Sequence, residues 1–232
     1  MTHEQATISW RWDDMRQVGT DYADIGEVER YDRRMAEWRD VDSENASILA
    51  ALSLPSGSSI LEIGAGTGRF AIAAASAGHI VSAVDISPMM LRYIARRATL
   101  LGLSIDCVHA GFLEFPDAPD QYDAVVSCAA MHHLPDIWKT VAVERIAKVL
   151  KPGGQFILRD IFFDWEPGAH ANCFNGFVDG FPETTQAPAA RHIANEYSTH
   201  SWIMTGILER AGFSVLTIRA EDHSLKEFHC RK

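Results

Sequence analysis

The chain has 232 residues, of which 47% are hydrophobic and 22% are charged, and this balance is typical of a globular protein with one large domain or two small ones. Its formal net charge of −10 gives no overall positive field, so a nucleic-acid partner held mainly by electrostatics is disfavoured and a small-molecule partner is expected. No stretch approaches the roughly 20 apolar residues of a membrane span, and residues 1–20 lack the apolar core of a signal peptide. These features predict a cytoplasmic protein with no membrane partner.

The cysteines are far apart in the sequence and form no CxxC pair. They are Cys107, Cys128, Cys173 and Cys230. This spacing indicates neither a zinc knuckle nor a disulfide framework, so free thiols are expected.

Residues 1–54 precede the first clear strand and have a mostly helical pattern. Asp42 or Ser43 suits the N-cap of a helix that ends near Leu52. This region is predicted to be a helical cap that covers a cleft in the rest of the chain.

From residue 58 onward, short apolar runs alternate with helical patterns, as in βα units around a largely parallel sheet. The strands are predicted at 58–63, 80–85, 104–109, 122–128, 155–160, 213–219 and 224–230, and the helices at 69–77, 88–101, 137–150 and 199–211. The fourth strand has the continuous apolar centre of a strand that is buried on both faces.

This order predicts an α/β fold with a Rossmann-like, doubly wound and mostly parallel sheet of about seven strands, closed by a C-terminal antiparallel hairpin. We expect one domain, 1–232, in which 1–54 form the cap, 55–161 the core and 199–232 a helix and the hairpin. The connection 162–198 is too long for a plain loop and is expected to form a lid.

A glycine-rich loop joins the first predicted strand to the helix after it. Gly64, Gly66 and Gly68 stand at alternate positions, where a side chain is expected to occupy the space of a ligand. Asp85 ends the next strand about twenty residues on, where a carboxylate can accept hydrogen bonds from ribose hydroxyls. A dinucleotide fingerprint requires glycine where this chain has Arg69, so a nicotinamide cofactor is disfavoured.

Five segments together resemble the class I S-adenosylmethionine-dependent methyltransferases that act on small molecules. They are LEIGAGTGRF from Leu61, VDISPMML from Val84, HAGFLEF from His109, SCAAMHHLPD from Ser127 and VLKPGG from Val149. The resemblance implies that S-adenosylmethionine is the cofactor, S-adenosylhomocysteine the product, residues 55–161 the cofactor-binding core and 162–198 the substrate lid.

The same resemblance implies a role for particular residues. The methionine part of the cofactor is expected at Glu62, Gly64, Ala65, Gly66 and Gly68, the ribose at Asp85, the adenine at Ile86, Met90, Gly111 and Phe112, and the sulfonium above Cys128 and Ala129.

The chain departs from the family pattern at two places. Many relatives have at the position of Gly111 an aspartate that accepts a hydrogen bond from the adenine amino group, so adenine is expected to be held here by backbone groups or by stacking on Phe112. Some relatives bind magnesium through an acidic run after the fourth strand, but this chain has Ala129, His132 and His133 there. No metal is therefore expected.

Methyl transfer from a sulfonium needs alignment and exclusion of water more than it needs a particular catalytic residue. His132 and His133 follow the fourth strand and are the candidate general bases, because imidazole titrates near neutral pH. Capping or packing of the next helix explains one of them equally well.

Candidate substrate contacts come from the two covering regions. They are Tyr31 with Arg34 in the cap, and Phe174, Phe177, Phe181, His192, Glu196, Tyr197 and Thr199 in or beside the lid. The structural alternatives are core packing for the phenylalanines, helix capping by Ser198 or Thr199 for part of the group from His192 to Thr199, and a solvated helix face for Tyr31 and Arg34.

Three functions remain open at this point. The leading one is methyl transfer to O, N or C of a small molecule. The same cleft suits another displacement or a cyclisation that does not consume S-adenosylmethionine, and a nucleoside-binding partner protein without turnover is the third. The sequence does not indicate the acceptor or the oligomeric state.

Overall fold

The computed structural model describes residues 10–16, 40–220 and 224–232. Tyr31 and Arg34 lie outside the described residues, as does most of the predicted cap. The helices are α1 (Val41–Leu52), α2 (Arg69–Ser76), α3 (Pro88–Leu100), α4 (Asp136–Val149), α5 (His170–Asp179), α6 (Glu183–Asn195) and α7 (Ser201–Arg210). The strands are β1 (Ser59–Ile63), β2 (Ile80–Asp85), β3 (Ile105–His109), β4 (Tyr122–Cys128), β5 (Leu150–Ile161), β6 (Ser214–Ala220) and β7 (Leu225–Arg231).

The strands form one sheet in the order β3-β2-β1-β4-β5-β7-β6. Strands β1 to β5 pair with one another in parallel, whereas β7 is antiparallel to both β5 and β6. The strand order reverses direction between β1 and β4, and ligands of doubly wound sheets bind at the carboxyl ends of the strands beside such a reversal. The predicted α/β class and C-terminal hairpin are confirmed.

Helices cover both faces of the sheet, which explains the continuous apolar runs of its central strands. On one face α1, α2 and α3 pack on Ile60, Ala124, Val126 and Ile157. On the other, α4 and α7 pack on Leu61, Val125, Phe156 and Leu158. Adjacent residues of one strand therefore belong to different apolar layers, as the alternation of a strand requires.

Two predicted helix caps are wrong. Helix α1 begins at Val41, and its N-cap is Asp40, whose carboxylate accepts from the backbone N–H of Ser43. Helix α7 begins at Ser201. Thr199 instead pairs with Phe162 in an isolated parallel bridge, which keeps this segment extended, and its hydroxyl donates to Asp136.

Among the described helices, none is both long and apolar enough to cross a membrane.

Candidate active site

The glycine-rich loop leaves β1 at the carboxyl edge of the sheet. The backbone N–H groups of Gly64 and Ala65 donate to the carbonyl of Val84, at 2.9 and 3.0 Å, which fixes the loop against β2. Gly68 is the N-cap of α2 with a φ of 72°. The carboxylate of Glu62 accepts from the backbone N–H of Ala71 at 3.0 Å, so it satisfies one of the N–H groups that the first turn of α2 leaves without a helical partner.

The three glycines of this loop serve different purposes. A Cβ at Gly64 would lie 2.3 Å from the Cβ of Ala130, and a Cβ at Gly68 would lie 2.5 Å from Cγ1 of Ile94. Only at Gly66, with a φ of 53°, would a Cβ meet nothing within 4 Å. The expectation that a side chain at any of the three would occupy ligand space is therefore wrong, because protein already fills that space at Gly64 and Gly68.

Asp85 connects the end of β2 to this loop. One carboxylate oxygen accepts from the backbone N–H of Gly66 and the other from that of Ser87, both at 2.8 Å. Burial raises the pKa of Asp85, and it raises the pKa of Glu62 well above its usual range, with the nearby Asp85 charge adding to the effect. Two buried carboxylates thus stand next to the one loop position that has open space beside it.

A single cavity contains this arrangement. All the predicted cofactor residues except Gly68 lie on its wall, namely Glu62, Gly64, Ala65, Gly66, Asp85, Ile86, Met90, Gly111, Phe112, Cys128 and Ala129. The cavity thus extends from the end of β2, across the glycine loop, to the end of β4. Cys128 pairs with Arg159 of β5 in the sheet, and Arg159 also lies on the wall, where it forms an ion pair with Glu44 of α1 at 2.7 Å.

Asp14 is a wall residue that the sequence analysis missed. A Cβ at Gly111 would lie 2.2 Å from the carboxylate oxygen Oδ2 of Asp14, so Asp14 occupies the space that a side chain at Gly111 would take. The same oxygen accepts from the backbone N–H of Leu113 at 2.8 Å, and burial raises the pKa of Asp14. A carboxylate from a distant segment thus stands beside Gly111, and the expectation that backbone groups or stacking on Phe112 hold the adenine stays a prediction.

Residues 10–16, hereafter the strap, form part of this wall and are attached to the rest of the chain by several contacts. The ring of Trp10 stacks on Trp138 of α4, with centroids 6.2 Å apart, and the Arg11 guanidinium donates to the carbonyl of Leu113. Trp12 meets the edge of Tyr197 at 5.9 Å and also lines the cavity. These contacts join parts of the chain about 100 to 190 residues apart, and such a pairing leaves no periodic pattern in the sequence.

The two candidate bases have different surroundings. His133 lies on the cavity wall, whereas His132 is buried beside the cavity and is not part of its wall. Burial opposes protonation of His132, but the carboxylates of Asp160 and Glu196 outweigh it and raise the pKa of His132 to about 9. Burial, together with the neighbouring His132, lowers the pKa of His133 to about 4.

The predicted lid, residues 162–198, folds as the helical pair α5 and α6. Phe174 and Phe177 both pack edge-to-face on Phe163, and Phe177 also contacts Phe181 in the same way. These rings form a small apolar cluster of their own, and Phe174, Phe177, His192 and Tyr197 are absent from the cavity wall. For the phenylalanines, core packing of the lid is the role that the structure shows.

The residues present suit a ligand with adenosine and amino acid parts. Gly66 opens its backbone to the cavity, Asp85 offers carboxylate oxygens beside it, and the apolar side chains of Ile86, Met90 and Phe112 line the adjoining wall. A doubly wound sheet with this loop after β1 and a carboxylate at the end of β2 is the architecture that the class I S-adenosylmethionine-dependent methyltransferases share.

Comparisons with known proteins agree with this class. Residues 60–154 match the family model described as a methyltransferase domain. An uncharacterized methyltransferase of Bacillus mycoides is 30% identical over 183 residues, which are 79% of this chain and 82% of the relative. The chain therefore belongs to the class I S-adenosylmethionine-dependent methyltransferases.

Two solved structures illustrate the range of this fold. A SAM-dependent methyltransferase from Aquifex aeolicus is 17% identical with a TM-score of 0.64, and the match covers 90% of this chain and 98% of that one. The [4+2]-cyclase SpnF is 16% identical with a TM-score of 0.65, over 82% of this chain and 80% of that chain. At these identities the similarity shows the fold alone.

Proposed function

We propose that this methyltransferase acts on a small-molecule acceptor that binds at the β4–β5 end of the cavity, in line with the methyl group of the cofactor. The observation that carries the proposal is the continuity of one cavity from Asp85 and Gly66 to Cys128, Ala129 and His133. A cofactor held over β1 and β2 leaves the wall beyond β4 for the acceptor.

On the cofactor side, Asp85 is proposed to accept hydrogen bonds from the ribose hydroxyls, which its position at the end of β2 favours. Gly66 lets the backbone approach the ligand. S-adenosylmethionine, when bound, supplies a methyl group that is already activated for displacement. The chain's own task is then alignment, and holding two reactants in the right geometry contributes roughly 7–11 kcal/mol to lowering a barrier.

On the acceptor side, His133 is proposed as the group that takes a proton where the acceptor atom carries one. Of the two candidate histidines, it alone lies on the wall, while His132 is held between Asp160 and Glu196. A positioned base contributes roughly 10²- to 10⁴-fold to rate. Trp12 and Asp14 of the strap complete the wall and limit the access of water to the site.

The first test is calorimetric titration with S-adenosylmethionine, S-adenosylhomocysteine and NAD. We expect the two adenosyl compounds to bind and NAD not to bind. Asp85→Ala is expected to weaken the binding of the two adenosyl compounds by about 100-fold or more, because it removes two charge-assisted hydrogen bonds. Asp106→Ala, at an exposed position of the neighbouring strand β3, is the matched control.

Once cofactor binding is established, the protein is incubated with a small-molecule extract and S-adenosylmethionine that is labelled in its methyl group. Label in a small molecule, lost with Asp85→Ala and kept with Asp106→Ala, supports the proposal. Label that enters only macromolecules overturns the small-molecule acceptor. Conversion of an acceptor that continues after the cofactor is removed favours a displacement or cyclisation without methyl transfer.

A further inference from the structure

Two histidines and a glutamate from distant parts of the chain converge on one point beside the cavity. They are His132, in the short 3-10 helix after β4, and His192 and Glu196, one turn apart at the end of α6. The carboxylate oxygen Oε2 of Glu196 lies 3.1 Å from Nε2 of His132 and 2.7 Å from Nδ1 of His192. We name these three residues the His–Glu cluster, and their ligand atoms all lie within 4.8 Å of one another.

Each imidazole of the cluster has a second partner on its outer side. Nδ1 of His132 lies 2.5 Å from the carboxylate of Asp160, and Nε2 of His192 lies 2.8 Å from the hydroxyl of Ser198. A carboxylate is an acceptor, so Nδ1 of His132 carries a proton, and a neutral ring then presents the lone pair of Nε2 to the centre. The Ser198 hydroxyl can fix His192 in the corresponding way. Metal-binding histidines are oriented by such outer hydrogen bonds.

When both rings are neutral, the centre of the cluster is therefore lined by lone pairs. With both rings neutral, two nitrogen lone pairs and a carboxylate oxygen face one another at short range in a buried place, and His132 is 7% exposed. A bound cation would satisfy these three donors at once, in place of the protons that Nε2 of His132 and Nδ1 of His192 can otherwise donate to Glu196. In addition, the buried Nδ1 of His133 has no hydrogen-bond partner among the described residues and lies 3.8 Å from the same Glu196 oxygen.

We propose that the His–Glu cluster binds one divalent transition-metal ion, with zinc as the reference ion. Two imidazole nitrogens and a carboxylate oxygen are donors that zinc accepts, at bond lengths of about 2.0–2.2 Å. Such a site connects α6 of the lid to the loop after β4, which also carries the wall residue His133. The expectation of no metal, which was based on the missing acidic run after β4, does not extend to donors brought together from residues 132 and 192–196.

The test uses the full chain after treatment with a chelator, and it needs neither the cofactor nor an acceptor. Zinc affinity is measured by competition with a chromophoric chelator, and cobalt(II) is added separately so that its visible absorption reports nitrogen and oxygen ligands. We expect one saturable equivalent of either ion. Binding is expected to be lost with His192→Gln and with Glu196→Gln, and to weaken by about 10- to 100-fold with Asp160→Asn, which removes the outer partner of His132.

His170→Gln is the matched control, because His170 begins helix α5 in the same insertion but lies outside the cluster. The zinc affinity of His170→Gln is expected to equal that of the unsubstituted chain. Equal binding by all the variants would assign the zinc to other groups and overturn the proposal. Absence of saturable binding by the unsubstituted chain would also overturn it, and would leave His132 as an imidazolium held between Asp160 and Glu196.

Thermal unfolding of the unsubstituted chain gives a result that does not depend on how well the variants fold. A ligand that binds only the folded state raises the melting temperature. We expect zinc to raise it, EDTA to reverse the rise, and zinc to leave the melting temperature of Glu196→Gln unchanged. A melting temperature that zinc does not move in the unsubstituted chain contradicts the site. Because no adenosyl compound is present, a failure here is separate from a failure of the proposed function.

Discussion

The core, residues 55–161, and the lid, residues 162–198, are held together by different forces. In the core, residues of contiguous strands are buried in two continuous apolar layers on the faces of the sheet. The lid has a much smaller apolar cluster around Phe163, Phe177 and Ala189. Much of its attachment is polar: the Glu196 carboxylate meets His132, and the backbone N–H of Tyr197 donates to the carbonyl of His132.

The core and the lid therefore differ in the kind of interaction that a substitution can remove. Burial of apolar area is non-directional and supplies most of the stability of a domain, whereas hydrogen-bonded ionic contacts depend on geometry and on what occupies their centre. Substitutions at His132, Glu196 or Tyr197 are therefore expected to disturb the lid while the core beneath it stays folded.

The largest effect is expected at Gly64. Gly64→Ala places a Cβ at 2.3 Å from that of Ala130 and forces alanine into a left-handed conformation with a φ of 75°. Strain and overpacking together should cost roughly 2–5 kcal/mol of unfolding free energy. Gly66→Ala has only the backbone strain, about 1–2 kcal/mol, because its Cβ meets no atom within 4 Å. Urea unfolding measures both.

Titration with S-adenosylhomocysteine completes this comparison. Gly66→Ala should lose cofactor affinity although it folds, since its methyl group enters the cavity. If instead Gly64→Ala lowers the free energy of unfolding less than Gly66→Ala does, the loop is not packed against Ala130 as described. The assignment of Gly64 to folding and of Gly66 to cofactor binding is then wrong.

In the lid, Phe177→Ala should cost about 3 kcal/mol, at the lower end of the range for a buried phenylalanine, because the small cluster around it can partly collapse. Phe177 packs on Phe163 and Phe181 and is absent from the cavity wall. Affinity for S-adenosylhomocysteine is therefore expected to stay the same. A large loss of affinity, with the core still folded by circular dichroism, would show that the lid takes part in cofactor binding.

Local patterns were enough to predict the sheet and the glycine loop. The bounds of β2 and β4 agree with the alternation of apolar runs and punctuating residues, because each βα unit is built from contiguous residues. The approach of Asp14 to Gly111 was not predictable in this way, nor was that of Glu196 to His132. These pairs are separated by many residues, and neither member repeats with a helix or strand period.

The strap is tested by Asp14→Asn. If Asp14 supplies the carboxylate that Gly111 lacks, this substitution should weaken S-adenosylmethionine binding by about 5- to 30-fold, the equivalent of roughly 1–2 kcal/mol for one charge-assisted hydrogen bond. Asparagine keeps the oxygen that accepts from Leu113, so the strap should stay in place. Calorimetry measures the affinity.

Asp13→Asn is the control for this substitution, because Asp13 is exposed and is not part of the cavity wall. Equal affinity of Asp14→Asn and Asp13→Asn would mean that the carboxylate of Asp14 only fixes the strap to Leu113.

The smallest effect concerns the pH dependence of the core. Burial raises the pKa of Glu62 well above its usual range, so the folded chain binds this proton more tightly than the unfolded chain does. The stability contributed by that proton is complete below the ordinary glutamate pKa and is lost as the pH rises through the raised pKa. Glu62→Gln removes the titration but keeps an oxygen that can accept from Ala71. In the absence of ligand it should therefore match the unsubstituted chain near pH 4 and become the more stable of the two as the pH rises.

Urea unfolding across this range is the measurement, with Glu144→Gln at an exposed position of α4 as the control. A stability difference that shrinks with rising pH would mean that Glu62 is stabilised as a carboxylate by the first turn of α2.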